Sequence, residues 1–174
     1  LMGGVGAYRF GLYVPEGAEE LGERYLSRLP GALRVPWCVH EALSGLLEDV
    51  GEINPRYPGW QQMRERFVLM MLDDEGRPCG LCAFVPERRD LIMIDIVVVK
   101  KDLRQQGLGR LLMGYLEQAF EHGTVLYVKQ ATRSGRKFFM RCGFTRDVEL
   151  YKVLGRHNRI LKDSAVPVTA ATCR

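Results

Sequence analysis

No apolar run in this sequence approaches the roughly 20 residues that a membrane-spanning helix needs. The N-terminus also lacks the basic start and the long apolar core of a signal peptide. These absences predict a protein without a membrane partner. The chain begins at Leu1 rather than Met, and we expect it to be part of something longer.

Cysteine is scarce: there are five, an odd number, scattered over 174 residues. This pattern implies no disulfide framework and predicts a reducing compartment, the cytoplasm or, in a eukaryote, the nucleus. Cys79 and Cys82 have zinc-ribbon spacing, but no second pair and no nearby histidine accompany them. On a strand over residues 78–85 they are expected to point to opposite faces. The three histidines show no ligand spacing either, so no metal site is predicted.

The sequence also lacks a strong excess of charge, because its formal net charge is only +4. A value this small does not predict a nucleic-acid partner. The basic residues are nevertheless unevenly placed, and many surround two glycine-containing segments. They are Lys100, Lys101, Arg104, Arg110, Lys129, Arg133, Arg136, Lys137 and Arg141. Such a cluster is either a solvated basic face or a site for phosphate groups.

What the sequence does contain is a continuous apolar run, Leu91–Val99, followed by a turn with two glycines and an amphipathic helix from Leu108. The run predicts a strand buried on both faces, and Gly123 is the predicted end of the helix. The first amides of a helix have no partner inside it and attract anions, and glycines allow a phosphate to approach. We therefore predict a diphosphate site here, unless Gly107 and Gly109 only make a tight turn.

The remaining segments predict strands and helices in a single domain, residues 1–154, with a polar tail over 155–174. Strands are predicted at Tyr8–Val14, Arg66–Asp73, Cys79–Pro86, Thr124–Gln130 and Val148–Leu154, and helices at Glu19–Leu29 and Pro36–Val50. Ser134 is predicted to cap a further short helix that stops at Gly143. The overall prediction is an α/β fold with a mixed, mostly antiparallel sheet and helices on both faces.

Two motifs, in this order and at this spacing, resemble the GCN5-related N-acetyltransferase (GNAT) superfamily. The first is Arg104-x-x-Gly107-x-Gly109 between the apolar strand and the amphipathic helix. The second is the aromatic pair Phe138-Phe139 followed by Gly143-Phe144. The resemblance extends over roughly 8–154. It implies an enzyme that transfers an acetyl group from acetyl-CoA (coenzyme A) to a primary amine by direct attack.

The resemblance also implies which residues bind the cofactor. Backbone groups of the strand end hold the pantetheine arm, the turn and the helix start hold the pyrophosphate, and Thr132 occupies a place where many members have an Asn that contacts the cofactor. The predicted cofactor-binding residues are Val97, Val98, Val99, Arg104, Gln105, Gln106, Gly107, Leu108, Gly109, Arg110, Thr132 and Phe138.

Asp95 is the one polar residue in the apolar strand. A lone carboxylate there is costly unless it is paired, hydrated or protonated. Strict alternation places Met93, Asp95, Val97 and Val99 on one face. Asp95 is therefore our candidate general base, and the alternative is a structural carboxylate bonded to a loop or an Arg. Many family members have a Glu where this chain has Met93.

The family's usual acid is a Tyr at the place of Phe139, which has no proton to donate. Tyr127 lies on the next strand, where some protein N-terminal acetyltransferases of the family carry a catalytic residue, and it is our second catalytic candidate. The alternative is a tyrosine that is simply packed in its strand.

The acceptor site is predicted from the loop over residues 51–60, since this part of the family lines it. Tyr57 and Trp60 are the candidates, although they could equally pin the loop to the core. Only Thr145–Asp147 separates Phe144 from the last strand, where the family usually has a long hairpin. An open site suits a protein or peptide amine, on an N-terminus or a lysine. The alternatives are a small-molecule amine or a non-catalytic acyl-CoA-binding module, and we expect a monomer or a homodimer.

Overall fold

The computed structural model describes residues 8–37, 46, 60–129, 131–146 and 150–155. Within these residues, eight strands form one sheet: β1 (Arg9–Tyr13), β2 (Leu33–Arg34), β3 (Phe67–Leu72), β4 (Pro78–Arg88), β5 (Leu91–Val99), β6 (Val125–Val128), β7 (Thr145–Arg146) and β8 (Leu150–Val153). Their spatial order is β2-β1-β3-β4-β5-β6-β8-β7. The pairs β1–β2 and β5–β6 are parallel and the others antiparallel, which confirms the predicted mixed sheet.

Three α-helices of the described residues pack against one face of the sheet: α1 (Glu19–Arg28), α2 (Leu108–Glu117) and α3 (Arg133–Arg141). We call this the helix face. The second face carries the 3-10 helix Trp60–Glu65, which contributes Met63 to a separate apolar cluster. No helix in the described part of the chain is long and apolar enough to cross a membrane.

Helix α2 begins where the sequence predicts but ends at Glu117, well before the predicted stop at Gly123. Past this end, backbone N–H groups bond three residues back, as from Ala119 to the carbonyl oxygen of Leu116 at 2.9 Å, so the last helical carbonyl groups are still satisfied. Arg28 binds the same segment: its Nε donates to the carbonyl oxygen of Gln118 at 3.4 Å, and its Nη2 donates to that of Phe120 at 3.2 Å. These contacts tie the segment after α2 to the end of α1.

The cap of α3 also differs from the prediction. Thr132, not Ser134, is the N-cap, and its hydroxyl oxygen accepts the backbone N–H of Gly135 at 3.0 Å. The helix ends at Arg141, and Gly143 follows with a φ of 93°, the left-handed conformation in which glycine commonly ends a helix.

Strand β5 has the predicted bounds but contains a β-bulge. Ala83 of β4 pairs with Ile96, and the next residue, Phe84, pairs with Ile94. Asp95 is therefore an extra residue on β5 that has no counterpart on β4. A bulge re-aims side chains and bends the strand at that point.

The bulge changes which residues of β5 face the helices. Ile94 packs in the core of the helix face before it, and Val97 packs against the same core after it, whereas Ile96 belongs to the cluster of the second face. Because Asp95 is an inserted residue, side chains before and after it do not follow one strict alternation. The prediction of one shared face is therefore wrong for the set Met93, Asp95, Val97 and Val99.

A second irregularity corrects the prediction for the two strand cysteines. The pairing of β3 with β4 skips Cys79, and both Cys79 and Cys82 then pack in the core of the helix face rather than on opposite faces. The thiol of Cys79 donates to the carbonyl oxygen of Met71 at 3.2 Å, and burial raises its pKa to about 11. The described residues contain no group of side chains that could hold a metal ion.

Three sequence predictions fall on parts that the structure does not describe. Most of the predicted helix Pro36–Val50, the acceptor candidate Tyr57 and the tail beyond Gly155 lie outside the described residues.

Candidate active site

A fork between β5 and β6 opens the sheet. Parallel pairing covers only three residues of each strand, from Leu91 with Val125 to Met93 with Tyr127. β5 then continues to Val99, where β4 is the one strand of the described residues that still pairs with it. A cavity of about 680 Å³ lies at this fork, between the end of β5 and the starts of α2 and α3.

The cavity lining includes most of the residues that the sequence predicted for a cofactor. These are Val97, Val99, Arg104, Gln105, Gly107, Leu108, Gly109, Arg110, Thr132 and Phe138. Among the described residues, the predicted Val98 and Gln106 do not line it: Val98 packs in the cluster of the second face, and Gln106 is exposed.

The first turn of α2 forms the floor of this cavity. Gly107 is the N-cap of the helix, with a left-handed φ of 79°, and Gln105 has a φ of 65°. This turn lets the chain leave the 3-10 helix Lys101–Leu103 and start α2 within a few residues. The backbone N–H groups at the start of α2 have no partner inside the helix, so they are available to an anion.

Gly109 has a packing role that the sequence did not reveal. A Cβ atom on this residue would lie 2.8 Å from Cε1 of Phe138, which is closer than real contacts allow. The missing side chain therefore lets the Phe138 ring of α3 pack on the start of α2. The two glycine-containing motifs meet at this contact and together form the wall of the cavity.

Replacing Gly109 by Ala is expected to lower the free energy of unfolding by about 1–3 kcal/mol, because the Phe138 ring must move away from α2. Urea unfolding measures this change. In a Phe138→Leu background the same substitution should cost clearly less, since the smaller side chain leaves room. Equal costs in the two backgrounds would show that the ring contact is not responsible.

Two arginines border the turn. Nε of Arg104 donates to the carbonyl oxygen of Val99 at 3.0 Å, which ties the turn to the end of β5. Nε of Arg110 is buried and makes no hydrogen bond to any described residue. A buried donor without a partner is costly unless a ligand or water satisfies it. Together with the α2 amides, this N–H group fits a phosphate-bearing ligand.

Asp95, the bulge residue of β5, lines the same cavity. Arg66, just before β3, donates from Nε to its Oδ2 at 3.0 Å. The Arg66 side chain is 24% exposed and that of Asp95 22%, so solvent reaches both. The sequence alternative of a carboxylate bonded to an Arg is therefore realised, but Asp95 still lines the cavity.

Residues 64–146 match the family described as Acetyltransferase (GNAT) domain. Residues 64–146 form a GNAT acetyltransferase domain. This confirms the resemblance found in the sequence and the predicted enzyme class, an acyl-CoA-dependent acyltransferase. The match starts just before β3 and ends at β7, so it contains the fork, both motifs and Asp95.

Solved structures agree with the GNAT fold at low sequence identity. Tetrahymena GCN5 is 16% identical, with a TM-score of 0.52, over 68% of this chain and 76% of that one. A Lactobacillus plantarum protein described as an N-acetyltransferase is also 16% identical, with a TM-score of 0.50, over 86% of this chain and 99% of that one. At this identity the likeness shows the fold alone. No curated protein sequence matches the chain.

Tyr127 of the GNAT domain is not among the described residues that line the cavity. It is 8% exposed, and its hydroxyl donates to Oε1 of Glu87. Glu87 lies beside the first residues of β5, whereas the cavity lies beside the last ones. The hydroxyl therefore points away from the fork, and a catalytic role of Tyr127 stays a prediction.

Thr132 and Trp60 are the two other predicted site residues that the structure describes, Trp60 by its backbone. The hydroxyl of Thr132 caps α3 and lies 3.3 Å from that of Ser134. Thr132 therefore has a structural role as the N-cap besides its predicted contact with the cofactor. Trp60 begins the 3-10 helix on the second face, which places its backbone on the side of the sheet opposite to α2.

Several residues that line the cavity of the GNAT domain were not among the predicted cofactor-binding, catalytic or acceptor-binding residues. They are Ile96, Leu103, Val128, Ala131, Ser134, Gly135, Phe139 and Arg141. Most of them lie next to one of the two GNAT motifs in the sequence, and this proximity could have indicated that they line the cavity. Ile96 had none, because its place depends on the bulge.

Proposed function

We propose that this domain transfers an acetyl group from acetyl-CoA to a primary amine of a protein or peptide, on an N-terminus or a lysine. The observation that carries the proposal is the arrangement of the cavity at the fork. Its lining combines the unpaired amides at the start of α2 and a buried arginine N–H with the carboxylate of Asp95.

The cofactor assignment rests on residues of this chain. The α2 amides and Arg110 would hold the pyrophosphate, backbone groups of 97–99 would hold the pantetheine arm, and Thr132 and Phe138 would contact it from α3. Acetyl-CoA supplies a thioester whose carbon–sulfur bond breaks as the amine nitrogen bonds to the carbonyl carbon. The released thiolate takes up a proton.

Asp95 is proposed to remove the proton from the amine, directly or through water. An amine must lose its charge before it attacks, and a carboxylate at the cavity wall is positioned to take that proton. Tyr127 is the predicted donor of the proton to the sulfur, but its hydroxyl would first have to leave Glu87.

The acceptor proposal rests on the shortness of the last hairpin. Arg146 of β7 pairs with Leu150 of β8, so only residues 147–149 join the two strands. A connection of this length leaves little chain to cover the site on that side. An open site accommodates an extended acceptor such as a peptide.

Saturating acetyl-CoA is expected to raise the melting temperature by several degrees. A ligand at a hundredfold its dissociation constant adds about 2.7 kcal/mol to the free energy of unfolding. Differential scanning fluorimetry with acetyl-CoA, free CoA and adenosine separates the contributions, and Arg110→Gln should reduce the shift from the two CoA forms. An unchanged melting temperature at millimolar acetyl-CoA would contradict the proposal. Mass spectrometry of a peptide mixture then identifies acetylated amines.

A further inference from the structure

The ion pair between Arg66 and Asp95 leaves much of both groups unused. Arg66 contacts Asp95 only through Nε, and its two terminal amino groups make no hydrogen bond to any described residue. Likewise, the other carboxylate oxygen of Asp95, Oδ1, has no hydrogen-bond partner within the described part of the chain. A guanidinium and a carboxylate in a partly buried place need partners for these atoms, from water or from a ligand.

The pair connects the cavity to a residue outside its lining. Arg66 directly follows the 3-10 helix on the second face, and its backbone N–H donates to the carbonyl oxygen of Met63 at 3.0 Å. Asp95 contacts Arg66 and also lines the cavity assigned to the cofactor, whereas Arg66 does not line it. A molecule bound by Arg66 would therefore lie next to Asp95, at the cavity.

The unused edge of Arg66 has a definite chemical preference. The two terminal amino groups of a guanidinium match the two oxygens of a carboxylate in parallel hydrogen bonds, an arrangement that lysine cannot reproduce. The free oxygen of Asp95 is suited to the opposite charge, an ammonium group. Side by side, the two groups complement a molecule that carries an amine and a carboxylate close together.

We propose that Arg66 binds a carboxylate of the acceptor next to the amine that Asp95 deprotonates. The inference rests on the proposed acetyl transfer and names its substrate class: an amine with a neighbouring carboxylate. Such a carboxylate comes either from an acidic side chain at the amino terminus of a peptide or from the α-carboxyl group of a free amino acid. In both cases Arg66 sets the specificity and Asp95 carries the proton.

Acetylation rates of matched acceptor pairs test this. One pair is a peptide that begins with Asp and the same peptide beginning with Asn. The other is glycine and glycinamide. In at least one pair the acid should have a kcat/KM about ten- to a hundredfold higher than that of its amide, the effect of one charge-assisted contact. The pair that shows the preference identifies the source of the carboxylate.

Variants assign that preference to Arg66. Arg66→Gln should remove it, mainly through a higher KM for the acid. Arg66→Lys keeps the positive charge but loses the two parallel amino groups, so it should keep only part of the preference for the acid. This variant replaces Arg66→Gln in the test if the Gln variant does not fold. The matched control is Arg64→Gln, because Arg64 is an exposed arginine that lies over the Trp37 ring instead. This control should leave the preference unchanged.

Four results would overturn the inference. Equal rates for acid and amide in both pairs, or a preference that survives Arg66→Gln, would remove Arg66 from acceptor binding while acetyl transfer stands. An equal loss on acid and amide in Arg66→Gln would show that Arg66 only positions Asp95. If acetyl-CoA raises the melting temperature but none of the four acceptors is acetylated, the result contradicts both the proposed transfer to such amines and this inference.

Discussion

The Asp95→Asn variant is expected to lower kcat by about 10²- to 10⁴-fold, the usual contribution of a general base. Asparagine has nearly the same shape but cannot take a proton from the amine. Steady-state kinetics with an accepted amine measures the loss. The variant should still show the acetyl-CoA-induced rise in melting temperature, because the proposed pyrophosphate contacts come from the α2 amides and Arg110 and not from Asp95.

A matched control separates this effect from a general loss of charge. Asp90 is an exposed carboxylate paired with Arg88 at 3.9 Å, and Asp90→Asn should leave kcat unchanged. Full activity in Asp95→Asn would mean that the carboxylate only pairs with Arg66. A wild type that binds acetyl-CoA and acetylates no amine would instead favour a non-catalytic acyl-CoA-binding module. Phe139, buried and without an acidic proton, is consistent with that alternative.

The Lys152→Met variant is expected to lose about 3–5 kcal/mol of unfolding free energy at neutral pH, because it breaks a buried ion pair on one side only. Nζ of Lys152 donates to Oε2 of Glu117 and to the carbonyl oxygen of Cys142, both at 2.8 Å. The lysine side chain is 1% exposed and that of Glu117 17%. The contact ties the end of α2 to the residue after α3, so its loss leaves a carboxylate buried without its cation.

The size of this loss should depend on pH. Burial raises the pKa of Glu117, and Lys152 opposes that rise. A carboxyl group with a raised pKa in the folded state stabilises the fold at pH values below its unfolded pKa, and this contribution is lost as the pH rises through the folded pKa. Without Lys152 the pKa should rise further. Lys152→Met should therefore be less destabilised at pH 5 than at pH 7.

Urea unfolding at both pH values checks these expectations. The double variant Lys152→Met with Glu117→Leu should recover much of the loss, because replacing a whole buried pair by apolar residues is often neutral. Lys129→Met, at an exposed lysine, is the control and should change stability little. If Lys152→Met alone is as stable as the wild type at pH 7, the pair of Lys152 and Glu117 does not stabilise the fold.

Local sequence patterns determined the central elements of this domain. The apolar run predicted β5 with its observed bounds, and the glycine turn followed by helical spacing predicted the start of α2. Both depend on residues that are neighbours along the chain. For the same reason the cofactor side of the cavity was predicted well, since the strand end, the turn and the first helical turn are consecutive.

The partners of the candidate catalytic residues were decided by tertiary structure alone. Arg66 and Asp95 are 29 positions apart, and Tyr127 and Glu87 are 40 apart. Such contacts depend on the register between strands, and one inserted residue at Asp95 changes which side chains share a face. Periodicity along one strand carries no information about an insertion relative to its neighbour. The same holds for Gly109, whose packing role exists only because α3 folds back onto α2.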